Sequence, residues 1–177
     1  MIDRRLARVA VVVIVPAWML GDGEYVGLGV GDPLTTGLAL AVTGSADAGP
    51  AEVGLAQRED RPGFTTVRGR VECPRDGEGV RVGTVLLAGS WTVVPFAAPP
   101  LRPDQDVVAS GWLTAEPYLW SAGSALARAV PGGRQEWRVA RLRCVVDGGE
   151  PQVVPRLPDE ASVDHDAAYL MDLEAVR

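Results

Sequence analysis

Glycine and proline cut this chain into short pieces. It carries 21 Gly and 14 Pro in 177 residues, many of them in turn-forming company: Gly21-Asp22-Gly23, Gly31-Asp32-Pro33, Pro74-Arg75-Asp76-Gly77 and Asp147-Gly148-Gly149. Asp-Gly pairs tolerate positive φ and close tight turns, while proline lacks the N–H that a helix interior needs. The stretches between these breaks are rich in Val, whose branched side chain favours strands over helices. Short strands between frequent turns predict a mainly β fold, a single small antiparallel barrel or sandwich.

The cleanest strand signal is Phe64–Cys73. Val67, Gly69, Val71 and Cys73 fall on one face, with Arg68, Arg70 and Glu72 on the other, the period-two alternation of a half-buried strand. Further strands are expected over 8–18, 25–30, 34–42, 51–57, 80–87, 91–96, 106–115 and 136–146. Glycines inside several of them (Gly37, Gly69, Gly83, Gly111) would permit the sharp coiling that a closed barrel needs. Residues 32–41 and 106–115 echo one another as Asp-x-apolar-x-hydroxyl-Gly-apolar-x-x-Ala, which suggests a repeated strand unit. One short mid-chain helix is expected over 121–130, ended by Pro131-Gly132-Gly133.

Charge divides the chain. Residues 1–156 hold 17 acids against 16 Arg, whereas 157–177 hold six acids against Arg177 alone. Apolar residues from Val163 to Val176 fall at helical spacing beside an acidic face, and Asp159 or Ser162 can cap a helix there. The expected organisation is a β-rich domain over 1–156 with an acidic C-terminal helix over 157–177 packed on it. A body this close to neutral lacks the basic surface that phosphate backbones require, which argues against nucleic acid as a partner.

The run Val9–Val15 follows three arginines and imitates a signal peptide, but Pro16 breaks it and it is too short to span a bilayer. A continuous Val/Ile run reads as a strand buried on both faces. No membrane span is expected, and the location expected is cytoplasmic, with secretion as the alternative. Cys73 and Cys144 lie in no CxxC or Cys/His cluster, so a zinc site is not indicated. They read as small buried apolar residues, or as one disulfide if the chain is exported.

His165 is the only histidine, and no nucleophile elbow or phosphate-binding loop occurs. No metal and no cofactor are expected. Asp22, Glu24, Glu116 and Glu136 stand beside aromatic or apolar neighbours, where burial would raise a carboxyl pKa. Trp18, Trp91, Trp112, Trp120 and Trp137 supply core volume or the wall of an apolar pocket. The candidate binding residues are Trp112, Tyr118, Trp120, Tyr25, Trp18 and Glu116, with Trp112, Tyr118 and Trp120 forming the densest group.

The opening Val15-Pro-Ala-Trp18-Met19-Leu-Gly-Asp-Gly23-Glu-Tyr25-Val-Gly-Leu-Gly-Val30-Gly31-Asp32 resembles the start of certain uncharacterised actinobacterial small β proteins. There, a strand-ending Trp precedes a Gly-aromatic turn and a Val-Gly pair. This chain lacks the cysteine pair expected between the Trp and the Gly. The resemblance implies a β fold and no activity.

Three functional readings follow. The first is a non-enzymatic binding or interaction module for a protein or an apolar small molecule. The second is a cofactor-free, cyclase-like enzyme that holds its substrate in an apolar barrel pocket, where shape alone can contribute much of the rate. The third is an exported domain stapled by Cys73 and Cys144.

Overall fold

The computed structural model describes residues 10–49, 53–97, 100–121 and 123–176. Ten strands form one sheet: β1 (Ala10–Pro16), β2 (Pro33–Asp47), β3 (Gly54–Gln57), β4 (Phe64–Glu72), β5 (Val85–Ala88), β6 (Trp91–Phe96), β7 (Asp106–Glu116), β8 (Gln135–Val146), β9 (Gln152–Val154) and β10 (Ala167–Ala175). Their order is β3-β4-β5-β6-β2-β7-β1-β10-β8-β9, and β4 also pairs with β7, and β2 with β8. These extra pairings close two circuits of five strands, β2-β6-β5-β4-β7 and β2-β8-β10-β1-β7, with β2 and β7 common to both.

The sheet is mixed rather than antiparallel throughout. β2 runs parallel to β6, and β1 parallel to β7. A ring with an odd number of strands cannot alternate direction all the way round, so each five-strand circuit must contain a parallel pair. The long central strands make both circuits possible, because along the edge facing away from the other each meets two neighbours in succession. β2 pairs with β8 over Pro33–Thr36 and then with β6 over Leu38–Ala41. β7 pairs with β4 over Asp106–Trp112 and meets β1 at Thr114.

The C-terminal segment is a strand, which corrects the expected acidic helix. β10 lies between β1 and β8 and pairs antiparallel with both. Ala167, Tyr169, Met171 and Leu173 are buried on one face, so the segment also carries a period-two pattern beneath its helical one. Pairing on both sides satisfies the backbone donors and acceptors of β10, and its buried face meets the Val run of β1; together these outweigh local helix propensity. Only a single 3-10 turn, Glu160–Ser162, forms near the expected helix start. Part of the tail's acidity is answered within the sheet. Asp172 accepts from the Arg143 guanidinium and lies 3.8 Å from Arg141 Nε.

Most other strands fall where the turns place them, with adjusted ends. β1 stops at Pro16, and the chain continues as a one-turn helix, α1 (Ala17–Gly21), where strand was expected to Trp18. The strand expected over 25–30 is a turn, with one bridge between Gly29 and Arg156. The mid-chain helix is short, α2 (Ala125–Ala129), with Ser124 Oγ accepting from Ala127 N at 3.0 Å, a capping contact of the usual kind. Residues 8–9 and 51–52 of the expected strands lie outside the described residues.

The main core lies on one face of the sheet. Val11, Val13 and Val15 of β1 point into it, while Val12 and Ile14 are half-buried, so the run alternates instead of being buried on both sides. Leu38, Leu40 and Val42 join from β2, Leu113 and Ala115 from β7, Trp137 from β8, and Tyr169, Met171 and Leu173 from β10. A smaller cluster of Ala39, Val85, Val94, Trp120 and Leu126 covers the opposite face of β2, with Leu126 supplied by α2.

Candidate functional site

The first residues of β2, the turn after α1 and the segment after β7 come together around a cleft of about 470 Å³. Its walls include Glu24, Tyr25, Thr36, Glu116, Trp120 and Arg134. Drug-sized ligand sites begin at roughly 300 Å³, so the volume suffices for a small molecule or one large side chain of a partner. The cleft is open to solvent at the side of the sheet. The buried side chains of the main core pack on one another in a single cluster on the inner face.

Tyr25 reaches the cleft from a strained position. Its φ is 60°, a left-handed conformation that costs a bulky residue of order 1–3 kcal/mol. Its hydroxyl lies 2.8 Å from Thr36 Oγ1. Thr36 Oγ1 in turn donates to the Gly37 carbonyl at 3.3 Å, so the phenol is the donor in the Tyr25–Thr36 bond. Burial pushes the Tyr25 phenol far above its ordinary range, and the nearby carboxylates of Glu116 and Glu24 add to the shift. The group is a neutral hydrogen-bond donor at any physiological pH.

Trp120 closes the floor. It is 1% exposed, and its indole lies against both Gly37 and Gly133, where a Cβ on either glycine would overlap the ring. Its Nε1 donates to the Leu38 carbonyl at 3.4 Å. Glu116 shapes the wall: Oε1 accepts from the backbone N–H of Tyr118 at 2.8 Å and of Leu119 at 3.2 Å, which turns the chain out of β7. Arg134 is held by its bond to the Thr35 carbonyl at 3.3 Å.

Beside the cleft stands an exposed aromatic pair. Trp18, on α1, is 52% exposed and Tyr118 is 41% exposed. Their rings stack with centroids 5.9 Å apart and an interplanar angle of 13°. Tyr118 donates its hydroxyl to Asp22 Oδ2 at 3.2 Å, and the phenol pKa is raised by desolvation and by that carboxylate. The Glu160 carboxylate lies against Gly23 in the same neighbourhood. Arg156 donates to the Gly27 carbonyl in the same turn, so among the described residues the four acids Asp22, Glu24, Glu116 and Glu160 face two arginines, Arg134 and Arg156.

The structure thus brings Tyr25, Glu116 and Trp120 to one cleft and sets Trp18 and Tyr118 beside it. Trp112 is not part of it. Its ring meets Phe64 edge-on at 5.3 Å, with the Arg61 guanidinium 5.2 Å from its centroid. The dense group expected from Trp112, Tyr118 and Trp120 is divided because Trp112 and Trp120 pack at different parts of the sheet. Thr36 and Arg134 line the cleft with no sequence signal: one reads as an ordinary strand residue, the other as a loop residue after Gly-Gly.

Both cysteines are free. Cys73 Sγ lies 3.9 Å from Thr84 Oγ1, whereas Cys144 sits opposite Tyr169 on β10, where burial raises its thiol pKa. Among the described residues, no group of three or more His, Cys, Asp or Glu is placed to hold a metal ion, and no helix is long and apolar enough to cross a membrane. A second cleft of about 350 Å³ at the far end of β2 is lined by Ser45, Asp47, Arg102 and Gln105, and Gln105 Nε2 donates to Asp47 Oδ1 across it. No protein-family model matches this chain, and no curated protein or solved structure matches it.

Proposed function

We propose that this chain is a non-enzymatic binding module, a small closed β-barrel body whose lateral cleft receives a cationic group of a partner. The exposed Trp18–Tyr118 stack beside Asp22 carries this reading. A large aromatic face left in water favours an occupant, and the ring quadrupole attracts cations, with Trp the best platform. Asp22, Glu24, Glu116 and Glu160 add negative potential around the same rim, which favours a guanidinium or ammonium group over an anion. The two closed strand circuits support the barrel description and give the cleft rigid walls.

The test uses two tetrapeptides, Arg-Arg-Arg-Arg and Glu-Glu-Glu-Glu, titrated against the whole protein at low salt and followed by tryptophan fluorescence and calorimetry. The arginine peptide should bind and weaken as salt rises, and Trp18→Ala or Asp22→Asn should each reduce its affinity about tenfold, roughly 1.4 kcal/mol. Equal binding of the glutamate peptide, or indifference of the arginine peptide to Trp18→Ala, would refute the reading.

The cyclase-like alternative has one observation in its favour. The cleft is large enough for a small substrate, and Tyr25 lines it with a neutral phenol whose proton would have to pass from Thr36 Oγ1 to the substrate. Under that reading Tyr25→Phe would abolish turnover of a carbonyl-bearing apolar substrate while leaving the circular dichroism spectrum unchanged.

A further inference from the structure

The strand pairings repeat themselves about one point, the cross-strand pair Leu40–Leu113 at the middle of β2 and β7. A two-fold axis through that pair carries Leu38, Leu40 and Val42 onto Gly111, Leu113 and Ala115. It carries β8 onto β4, so that Leu34–Trp137 has Val107–Gly69 as its counterpart. Val71–Leu86, between β4 and β5, matches Val139–Leu173, between β8 and β10. Leu86–Val93, between β5 and β6, matches Leu173–Val11, between β10 and β1. The parallel pair Ala41–Phe96 matches the other parallel pair, Thr114–Ile14. Faces are kept as well as register: Leu40, Val71, Leu86 and Val93 belong to the same core as Leu113, Val139, Leu173 and Val11. Only β3 and β9 fall outside the correspondence.

Four independent ladders, one of them parallel, agree with a single operation. Register in a sheet is free to slip by any number of residues, and a one-residue slip would turn every side chain to the wrong face. We infer that the chain is two copies of one four-strand unit, fused and permuted. One unit is β2-β4-β5-β6, with β3 inserted between its first two strands. The other is β7-β8-β10 completed by β1, with β9 inserted between β8 and β10; β1 precedes the other strands in the chain and stands last in its unit. The sequence echo between residues 32–41 and 106–115 is one residue out of step with this axis: it aligns Gly37 with Gly111, whereas the sheet aligns Leu38 with Gly111.

The inference has a direct consequence for chain order. β6 does not pair with β7, so the segment joining them runs between units, whereas the 73–84 connection joins β4 to β5 inside one unit. Ala10 pairs with Glu174, so the first and last strands can be joined through a short linker. Two permutants of the full chain with the same linker test the idea. One is opened between Leu101 and Arg102, which runs the two units in tandem; the other is opened between Gly77 and Glu78, in an exposed turn within a unit.

Both are followed by far-UV circular dichroism and thermal melting. The unit-boundary permutant should melt within about 5 °C of the parent and the within-unit permutant at least ~10 °C lower, a spread of a few kcal/mol for a domain of this size. Equal melting of the two, the reverse order, or loss of structure in both would overturn the inference.

Discussion

The slot that holds Trp120 is the most specific packing statement in the molecule, and it can be tested quantitatively. The indole lies against both Gly37 and Gly133, with Cδ1, Cγ and Nε1 nearest Gly37 and Cε3, Cζ3 and Cη2 nearest Gly133. An alanine at Gly37 has no space while the ring is present. Gly37→Ala should therefore cost about 1–3 kcal/mol, the usual range for overpacking. Trp120→Ala removes a fully buried indole and should cost about 3–5 kcal/mol. If the two sites were independent, the double variant would lose about 4–8 kcal/mol. With the ring gone, however, the three atoms nearest the new methyl are gone too, and it partly refills the void. The double variant should thus be no less stable than Trp120→Ala alone, a coupling of roughly 1–3 kcal/mol in the favourable direction. Urea unfolding of the four proteins, followed by far-UV circular dichroism with a shared m-value, measures this directly. Additivity within about 0.5 kcal/mol would mean that Trp120 does not occupy the slot.

Two further outcomes follow from groups described above. Because burial holds the Tyr25 pKa above that of an unfolded tyrosine, near 10, the unfolded chain ionises first as pH rises. The stabilisation is complete below pH ~10 and is lost above it; Tyr25→Phe should flatten that alkaline decline in urea midpoints between pH 8 and 11, and an unchanged decline would contradict the buried phenol. Asp172 and Arg143, with side chains 18% and 13% exposed, form an ion pair within the sheet, and Arg143 Nε has no hydrogen-bond partner. Asp172→Ala, which strands that guanidinium, should cost about 2 kcal/mol, below the 3–5 typical of fully buried pairs because of residual solvent, and Arg143→Met should cost less; equal losses in thermal melts would show the pair to be worth little.

Turn chemistry made most of this fold legible. Asp-Gly pairs marked the ends of β4 and β8, Asp32-Pro33 the start of β2, Gly89-Ser90 the start of β6 and Pro117 the end of β7, because φ restrictions are local and visible residue by residue. The alternation in Phe64–Cys73 gave β4 its buried face for the same reason. The C-terminal segment was misread because Ala167–Ala175 fits both periods over so short a span. Its two neighbours, β1 and β8, decide between them, and pairing with strands more than twenty and one hundred and fifty residues away leaves no local trace. The candidate site was legible in part. Tyr25, Glu116 and Trp120 stand out as aromatic or acidic residues beside the Asp22-Gly23 turn and the Pro117 break, and such breaks are where chain segments converge. Thr36 and Arg134 become cleft residues only through the β2–β8 ladder, which no spacing in the sequence announces.

The position of β10 has a consequence for how the molecule is made. β1 contains the most β-prone, least charged segment of the body, Ala10–Pro16, yet its antiparallel partner is the strand nearest the C-terminus. A ribosome adding about 5–20 residues per second leaves that valine run without its partner for roughly 10–30 s. The first circuit can assemble from β2 to β7 during that time, but the second must wait until β10 has been made. In the interval the nascent chain displays an unpaired apolar strand of the kind that seeds intermolecular β-pairing. Yield during expression should therefore depend on chaperone supply and translation rate more steeply than the stability of the finished fold would suggest.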